Sequence, residues 1–250
     1  MLVLKRRKGL FSEATVWFAE QLYTGADIVH YRSCKFPISQ MCTGASTLLT
    51  NLQQTDEELM KSCESNCRNE IRRAMKEGDA TCLLYGDNID DKIIDEFSAF
   101  YNQFSINKNW GEVDTLSISH NMKGYRNING LIISYACVEG EKCVYHVYIA
   151  DGKRARLLHS CSLYRQNESK EMQKKIGMAN RFLHYDDLRK MRDIGYQCCD
   201  WGGAGTSPEV YNIYKFKKSF GGKHAVVYNG TDYRNPILKW LYWYYIYFTS

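Results

Sequence analysis

Three groups of residues carry side chains able to do chemistry. The first is "CCDWGG", Cys198 to Gly203, where an apolar run ends in a carboxylate and then two glycines. An acid at the carboxyl end of a buried strand is where open α/β sheets collect ligands. Glycines there let the chain turn sharply and let a second chain or a ligand approach. The alternative is structural: the glycines make the turn and Asp200 hydrogen-bonds a neighbouring loop. The second group is Lys174, Lys175, Gly177, Ala179 and Asn180. Two lysines and small residues ahead of a helix start would suit an anion, because free N–H groups and the helix dipole point there. The third is "YKFKKSFGG", Tyr214 to Gly222. Lys217 lies between Phe216 and Phe220, and a lysine in apolar surroundings can bind an anion or move a proton. Arg68, Arg72 and Lys76 recur every four residues, as a solvated helix face or an anion-binding ridge. The six histidines have no metal-ligand spacing, and no metal is expected. His146, His159 and His184 read as structural.

The elements that must position these groups follow from periodicity. A short helical patch is expected at Ala14 to Leu22, then strands at Asp27 to Tyr31 and Thr47 to Leu52. Thr55 and Glu58 form a capping box. Leu59, Cys63, Cys67, Ile71 and Ala74 then mark one face of a helix from Asp56 to Glu77, stopped by Gly78. A strand at Ala80 to Asp87 precedes a helix carrying Ile93, Phe97, Phe100, Tyr101 and Phe104. Leu131 to Ser162 reads as a three-strand meander with tight turns. A helix beginning near Asn180 feeds the strand Tyr196 to Trp201. Ser207 and Pro208 look like the N-cap and first residue of a helix carrying Val210, Ile213, Tyr214 and Phe216. A last strand covers His224 to Gly230. The fold class is α/β: a mixed central sheet, antiparallel meander plus parallel crossover, flanked by helices.

Composition sets the outer limits. The chain has 250 residues, 44% hydrophobic and 24% charged, with three prolines, which suits one large globular domain with an extension. Net charge is +5, compatible with a phosphate-bearing ligand and too mild for a dedicated nucleic-acid binder. Ten scattered cysteines without a CxxC pair read as buried thiols in a reducing cytoplasm. The N-terminus has no secretory h-region. The aromatic segment Ile237 to Phe248 is shorter than the roughly 20 residues a spanning helix needs. It packs on the domain, pairs with another subunit or rests on a membrane surface.

Three stretches in this order resemble one family. Thr55 to Gly78, "GMANRFLHYDDLRKMRDIGYQCCDWGG" (Gly177 to Gly203) and "IYKFKKSFGG" (Ile213 to Gly222) resemble the Fem-type peptidoglycan bridge aminoacyltransferases and their single-domain relatives, a branch of the GNAT acyltransferase superfamily. The resemblance spans roughly 47–230. It implies a GNAT-like domain at 46–234, an N-terminal extension at 1–45 and an aromatic tail at 235–250. It also implies acyl transfer from a carrier to an amine or hydroxyl of a small molecule or polysaccharide precursor. The donor would be acyl-CoA, its pantetheine arm lying between the strands Arg154–Ser162 and Tyr196–Trp201. Its pyrophosphate would sit on the helix start at Gly177 to Asn180, with Lys174, Lys175, Gly177, Ala179, Asn180 and Ser160 as the cofactor-binding residues. Asp200 would be base or acceptor-orienting group. Backbone N–H groups near Leu158 to Ser160 would face the carbonyl oxygen, Tyr211 or Tyr214 would protonate the thiolate, and Lys217 would contact substrate or phosphate. The Fem branch itself implies an aminoacyl-tRNA donor, the one nucleic acid expected as a partner. A catalytically silent binding protein of the same fold is the third reading. Fem enzymes are longer, with two such domains, and this chain has Lys174 where the wider superfamily has Arg or Gln.

Overall fold

The computed structural model describes residues 1–205, 211–234 and 236–249, with the side chains at 236, 243 and 245–249 left undescribed. The chain divides into two compact units, one made of Met1–Thr47 with Ala225–Ser250, the other of Leu48–His224. The last strand and the C-terminal helix are therefore grouped with the first strands.

The first unit is built on β1 (Leu2–Lys8), β2 (Phe11–Trp17), β3 (Ile28–Cys34) and β10 (Lys223–Tyr233), with the first half of β4 (Thr43–Asn51). Its strand order is β1-β2-β3-β10-β4. β2 replaces the helix expected over Ala14 to Leu22. Ala14 and Val16 are buried on one face, and β2 pairs with β1 antiparallel and β3 in parallel. Sheet pairing overrode a local apolar spacing that suits either structure. Helix α7 (Pro236–Thr249) carries the aromatic segment.

The second unit runs from the rest of β4 through α1 (Asp56–Ser62), α2 (Ser65–Glu77), β5 (Ala80–Tyr85), α3 (Asp91–Asn107), α4 (Thr115–Arg126), β6 (Leu131–Val138), β7 (Glu141–Ala150), β8 (Arg154–Ser162), α5 (Lys170–Asp193), β9 (Cys198–Asp200) and α6 (Tyr211–Lys218). Strand order here is β4-β9-β8-β7-β6-β5. The meander is antiparallel, and β8 pairs with β9 in parallel across the α5 crossover, as the sequence indicates. α3 and α5 cover opposite faces. Tyr145 of β7 meets Phe97 of α3, whereas its neighbour His146 meets Asp187 of α5, and successive strand residues point to opposite sides. α1, α2 and α5 share a core of Leu59, Cys63, Cys67, Ile71, Leu188 and Met191 over the sheet. All ten thiols are free, six of them buried.

Local chemistry explains the helix ends. The Thr55–Glu58 box is present, and Gly78 closes α2 at φ 78°. The face from Leu59 to Ala74 is buried as expected, but the helix breaks at Cys63, whose extended backbone separates α1 from α2. α4 has no counterpart in the sequence reading. α5 starts at Lys170, where the Ser169 hydroxyl accepts the Met172 N–H, and not near Asn180. Ser207, Pro208 and Val210 lie outside the described residues.

Candidate active site

The site begins where two strands part. β9 pairs with β8 only at Arg154, Ala155 and Arg156, and ends at Asp200. Among the described residues, β8 from Leu157 onward pairs with β7 alone. A cleft of about 690 Å³ opens along that unpaired edge. β8 contributes Leu157, Ser160, Cys161 and Ser162; α5 contributes Asn180 and His184; α6 contributes Ile213, Phe216 and Lys217. Phe104 and Lys108 at the end of α3, with Trp110, close the far wall. β8 also carries a bulge: Val147 faces His159 and Tyr148 faces Leu157, which leaves Leu158 as the extra residue. Bulges re-aim backbone groups beside active sites, and this one lies among the N–H groups the sequence nominates.

Lys217 reaches into this cleft. Its Nζ donates to the carbonyls of Gly203 at 3.2 Å and Gly202 at 3.4 Å. Burial first, and the nearby Arg156 second, pull its pKa down to about 8. Desolvation disfavours the charged form, which is the expected direction for a half-buried ammonium.

Asp200 behaves differently from the expectation. It is fully buried and does not line the cleft. One oxygen takes the Arg154 guanidinium at 2.8 Å with Arg156 at 3.7 Å, and the other accepts the Gly202 N–H at 2.9 Å. A carboxylate so engaged is held inside the protein and away from the cleft. It fixes the Gly202 turn instead. That turn has φ 66°, and a Cβ on Gly202 would stand 2.9 Å from the Leu157 carbonyl oxygen. Glycine is therefore required twice over, by conformation and by the close approach to β8.

The other nominated residues separate. Ser160 and Asn180 line the cleft beside Lys217. Lys174 and Gly177 line an adjoining pocket with Arg73, Lys170 and Arg181, which shares Ser162, Tyr164, Asn180 and Phe216 with the cleft. The backbone there is helix interior, so the free N–H groups expected for a pyrophosphate are spent within α5. Lys175 turns away to Glu139 and Glu171, and Ala179 is buried in a separate core cluster. Tyr214 packs against the main core and is absent from the cleft lining; Tyr211 lies near it, ring centroids 6.3 Å apart. The Phe-Gly-Gly end of the third motif is packing: Phe220 stacks on Trp201 at 4.9 Å, and Gly221, at φ 83°, leaves no room for a side chain beside the Ser62 carbonyl.

A polar spine beneath the cleft was not read from the sequence. Asn180, His184 and Asp187 step along the sheet-facing side of α5. Asp187 Oδ2 accepts the hydroxyls of Ser134 and Tyr148, and pairs with His146 Nδ1, each at 2.8 Å. His146 Nε2 meets the Asn180 amide at 2.9 Å. His184 stacks on His146 at 3.7 Å and approaches Ser160 Oγ at 3.4 Å. Burial, then His146, push the His184 pKa well below its usual value, so its ring is neutral. The signal was there: three polar residues three and four apart on an otherwise apolar helix stripe.

Among the described residues, His146, His184 and Asp187 also bring possible metal-ligand atoms within 4.8 Å of one another. An imidazole lone pair lies in the ring plane. Two rings stacked 20° from parallel cannot both aim at one ion, and both nitrogens of His146 are engaged. The cluster suits a hydrogen-bonded core.

No protein-family model matches the chain, and no curated protein matches it in sequence. Solved structures do. FemX superposes with a TM-score of 0.59 at 14% identity, over 74% of this chain and 61% of that one, so this chain spans under two thirds of FemX. A conserved protein of unknown function from Bacteroides thetaiotaomicron gives 0.55 at 10% identity, over 92% and 81% of the two chains. L-PGS from Bacillus licheniformis gives 0.53 at 9% identity, over 93% and 81%. At such identities the likeness is one of fold: a mixed parallel and antiparallel sheet flanked by helices, in a GNAT-like fold resembling the Fem-type proteins.

Proposed function

We propose that the protein is a transferase that moves an acyl group from an activated carrier to an amine or hydroxyl held in the cleft beside β8. The observation that carries this is the parting of β8 from β9 after Arg156 and Asp200, which opens a slot bordered by an unpaired strand edge and the Lys217 ammonium. A slender thioester-bearing arm can add its amides to that edge. The walls from Leu157, Phe104 and Phe216 exclude water from the reacting carbonyl. The bulge at Leu158 supplies N–H groups, and Lys217 supplies positive charge, for the oxyanion of the tetrahedral intermediate. Burial keeps His184 neutral behind Ser160, so in this reading the acceptor's proton passes to the departing carrier sulfur and not to the imidazole. Acyl-CoA is the donor in this reading. Arg73, Lys170 and Lys174 in the adjoining pocket would take its phosphates through side chains.

One observation favours an aminoacyl-tRNA donor instead. No glycine lies between Ser162 and Gln173, so the β8–α5 connection lacks the flexible turn with which a backbone wraps a pyrophosphate. The likeness to FemX points the same way. A thermal-shift series with CoA thioesters separates the donors, since a ligand bound to the native state raises Tm by mass action. A rise with acetyl-CoA supports the first donor. No rise, together with RNase-sensitive transfer of an amino acid from charged tRNA, supports the second. Failure of both leaves a binding protein and overturns the proposal.

A further inference from the structure

The first unit carries a surface the proposed chemistry does not use. Along α7, Ile237, Trp240, Leu241 and Tyr244 stand 70%, 78%, 51% and 66% exposed. Their spacing of three, four and seven puts them on one stripe of the helix. The opposite side is anchored: Tyr242 is buried, donates to Glu13 at 2.6 Å and meets Phe11 edge-on at 5.9 Å. Its ring also lies 5.7 Å from Lys8 Nζ, which brings α7 to the β1–β2 turn. The end of β1 that leads into it is strongly basic. Lys5, Arg6, Arg7 and Lys8 are all exposed, and Leu10 at the tip of the turn is 89% exposed.

We infer that this face docks the protein on an anionic lipid bilayer, with the α7 stripe and Leu10 in the headgroup–acyl boundary and Arg6 and Lys8, which share the α7 side of β1, over the lipid phosphates. An apolar stripe alone would not choose between a membrane and a protein partner. The basic strand beside it chooses. A tryptophan and a tyrosine on such a stripe are amphipathic rings suited to the interfacial layer, and clustered Lys and Arg draw the surface toward anionic lipid. Among the described residues no helix is long and apolar enough to cross a membrane, so the contact is peripheral.

The test is cosedimentation of the full chain with vesicles of phosphatidylcholine, with and without a minority of phosphatidylglycerol. Binding is expected only with phosphatidylglycerol and weakens as salt rises. Arg6→Gln with Lys8→Gln lowers the partition coefficient about 30-fold, at about fivefold per basic residue lost. Trp240→Ser lowers it about tenfold. These side chains are exposed, so the variants keep the wild-type Tm, which is checked in parallel. Equal binding to neutral vesicles, or wild-type binding by either variant, overturns the inference. So does a lipid-free dimer that Trp240→Ser dissociates, which would make the stripe a contact between copies. None of these outcomes depends on acyl transfer.

Discussion

Lys217 and Asp200 sit within a few residues' reach of the same turn and do opposite things. The carboxylate is paired away inside the protein, while the half-buried ammonium donates to the carbonyls of Gly202 and Gly203. Lysine ordinarily titrates near 10.4, and here it loses its proton near pH 8. The sign follows. Between those values the folded chain binds fewer protons than the unfolded one, so Lys217 contributes stability above the ordinary lysine range and loses it as pH falls through about 8. Its charge at neutral pH therefore works against stability and is retained for the cleft. Lys217→Met is expected to leave Tm at pH 7 unchanged or slightly raised while transfer falls by 10² or more, the scale of losing one oxyanion-stabilising group. In the wild type the affinity for an anionic donor should drop as pH rises through about 8, a step missing from the variant. Titration of donor binding across that range checks both; a variant with the same pH step would remove Lys217 from the site.

At the scale of elements, Arg154 and Arg156 lie two apart on one face of β8 and hold Asp200 at the end of β9. This clamp keeps the two strands together up to the point where they part. Asp200→Asn leaves two largely buried guanidinium groups facing a neutral amide, and breaking such a pair costs about 3–5 kcal/mol. Denaturant unfolding should register that loss in the midpoint; a wild-type midpoint would refute the clamp. The strands of the meander, the capping box, the buried face of α1–α2 and the crossover were legible, because their periodicity and local caps agree with the packing. What misled was punctuation. Gly177 reads as the residue before a helix, yet α5 runs through it from a Ser169 cap. Cys63 carries no breaking signal, yet the chain extends there. β2 has an apolar pattern short enough for helix or strand, and its partners decide. In the site, Lys217, Ser160 and Asn180 line one cleft. The Asp187–His146 spine shows in the sequence only as the Asn180–His184–Asp187 spacing on α5, because its other members, Ser134, His146 and Tyr148, come from two strands far away along the chain.

At the scale of the molecule, chain order and spatial grouping disagree in an informative way. Every residue of the main core cluster, from Leu48 to Phe220, falls within the second unit, and so do all residues lining the cleft and its basic annex. That unit is one continuous stretch of chain. The first unit is assembled from both ends, its cluster of Ala14, Val16, Val29 and Tyr31 packing with Tyr228. A continuous segment with its own core satisfies the requirement for independent folding, whereas a unit split across both ends must close a long loop before its contacts form. Expressed alone, residues 48–224 should therefore unfold cooperatively and retain whatever donor binding the full chain has, with a Kd within about threefold. The vesicle binding assigned to α7 and the β1–β2 turn should vanish from the same fragment. A collapsed species without a cooperative transition, showing exposed apolar surface and no fixed side-chain signals, would mean that β1–β3, β10 and α7 complete the fold as well as extending it.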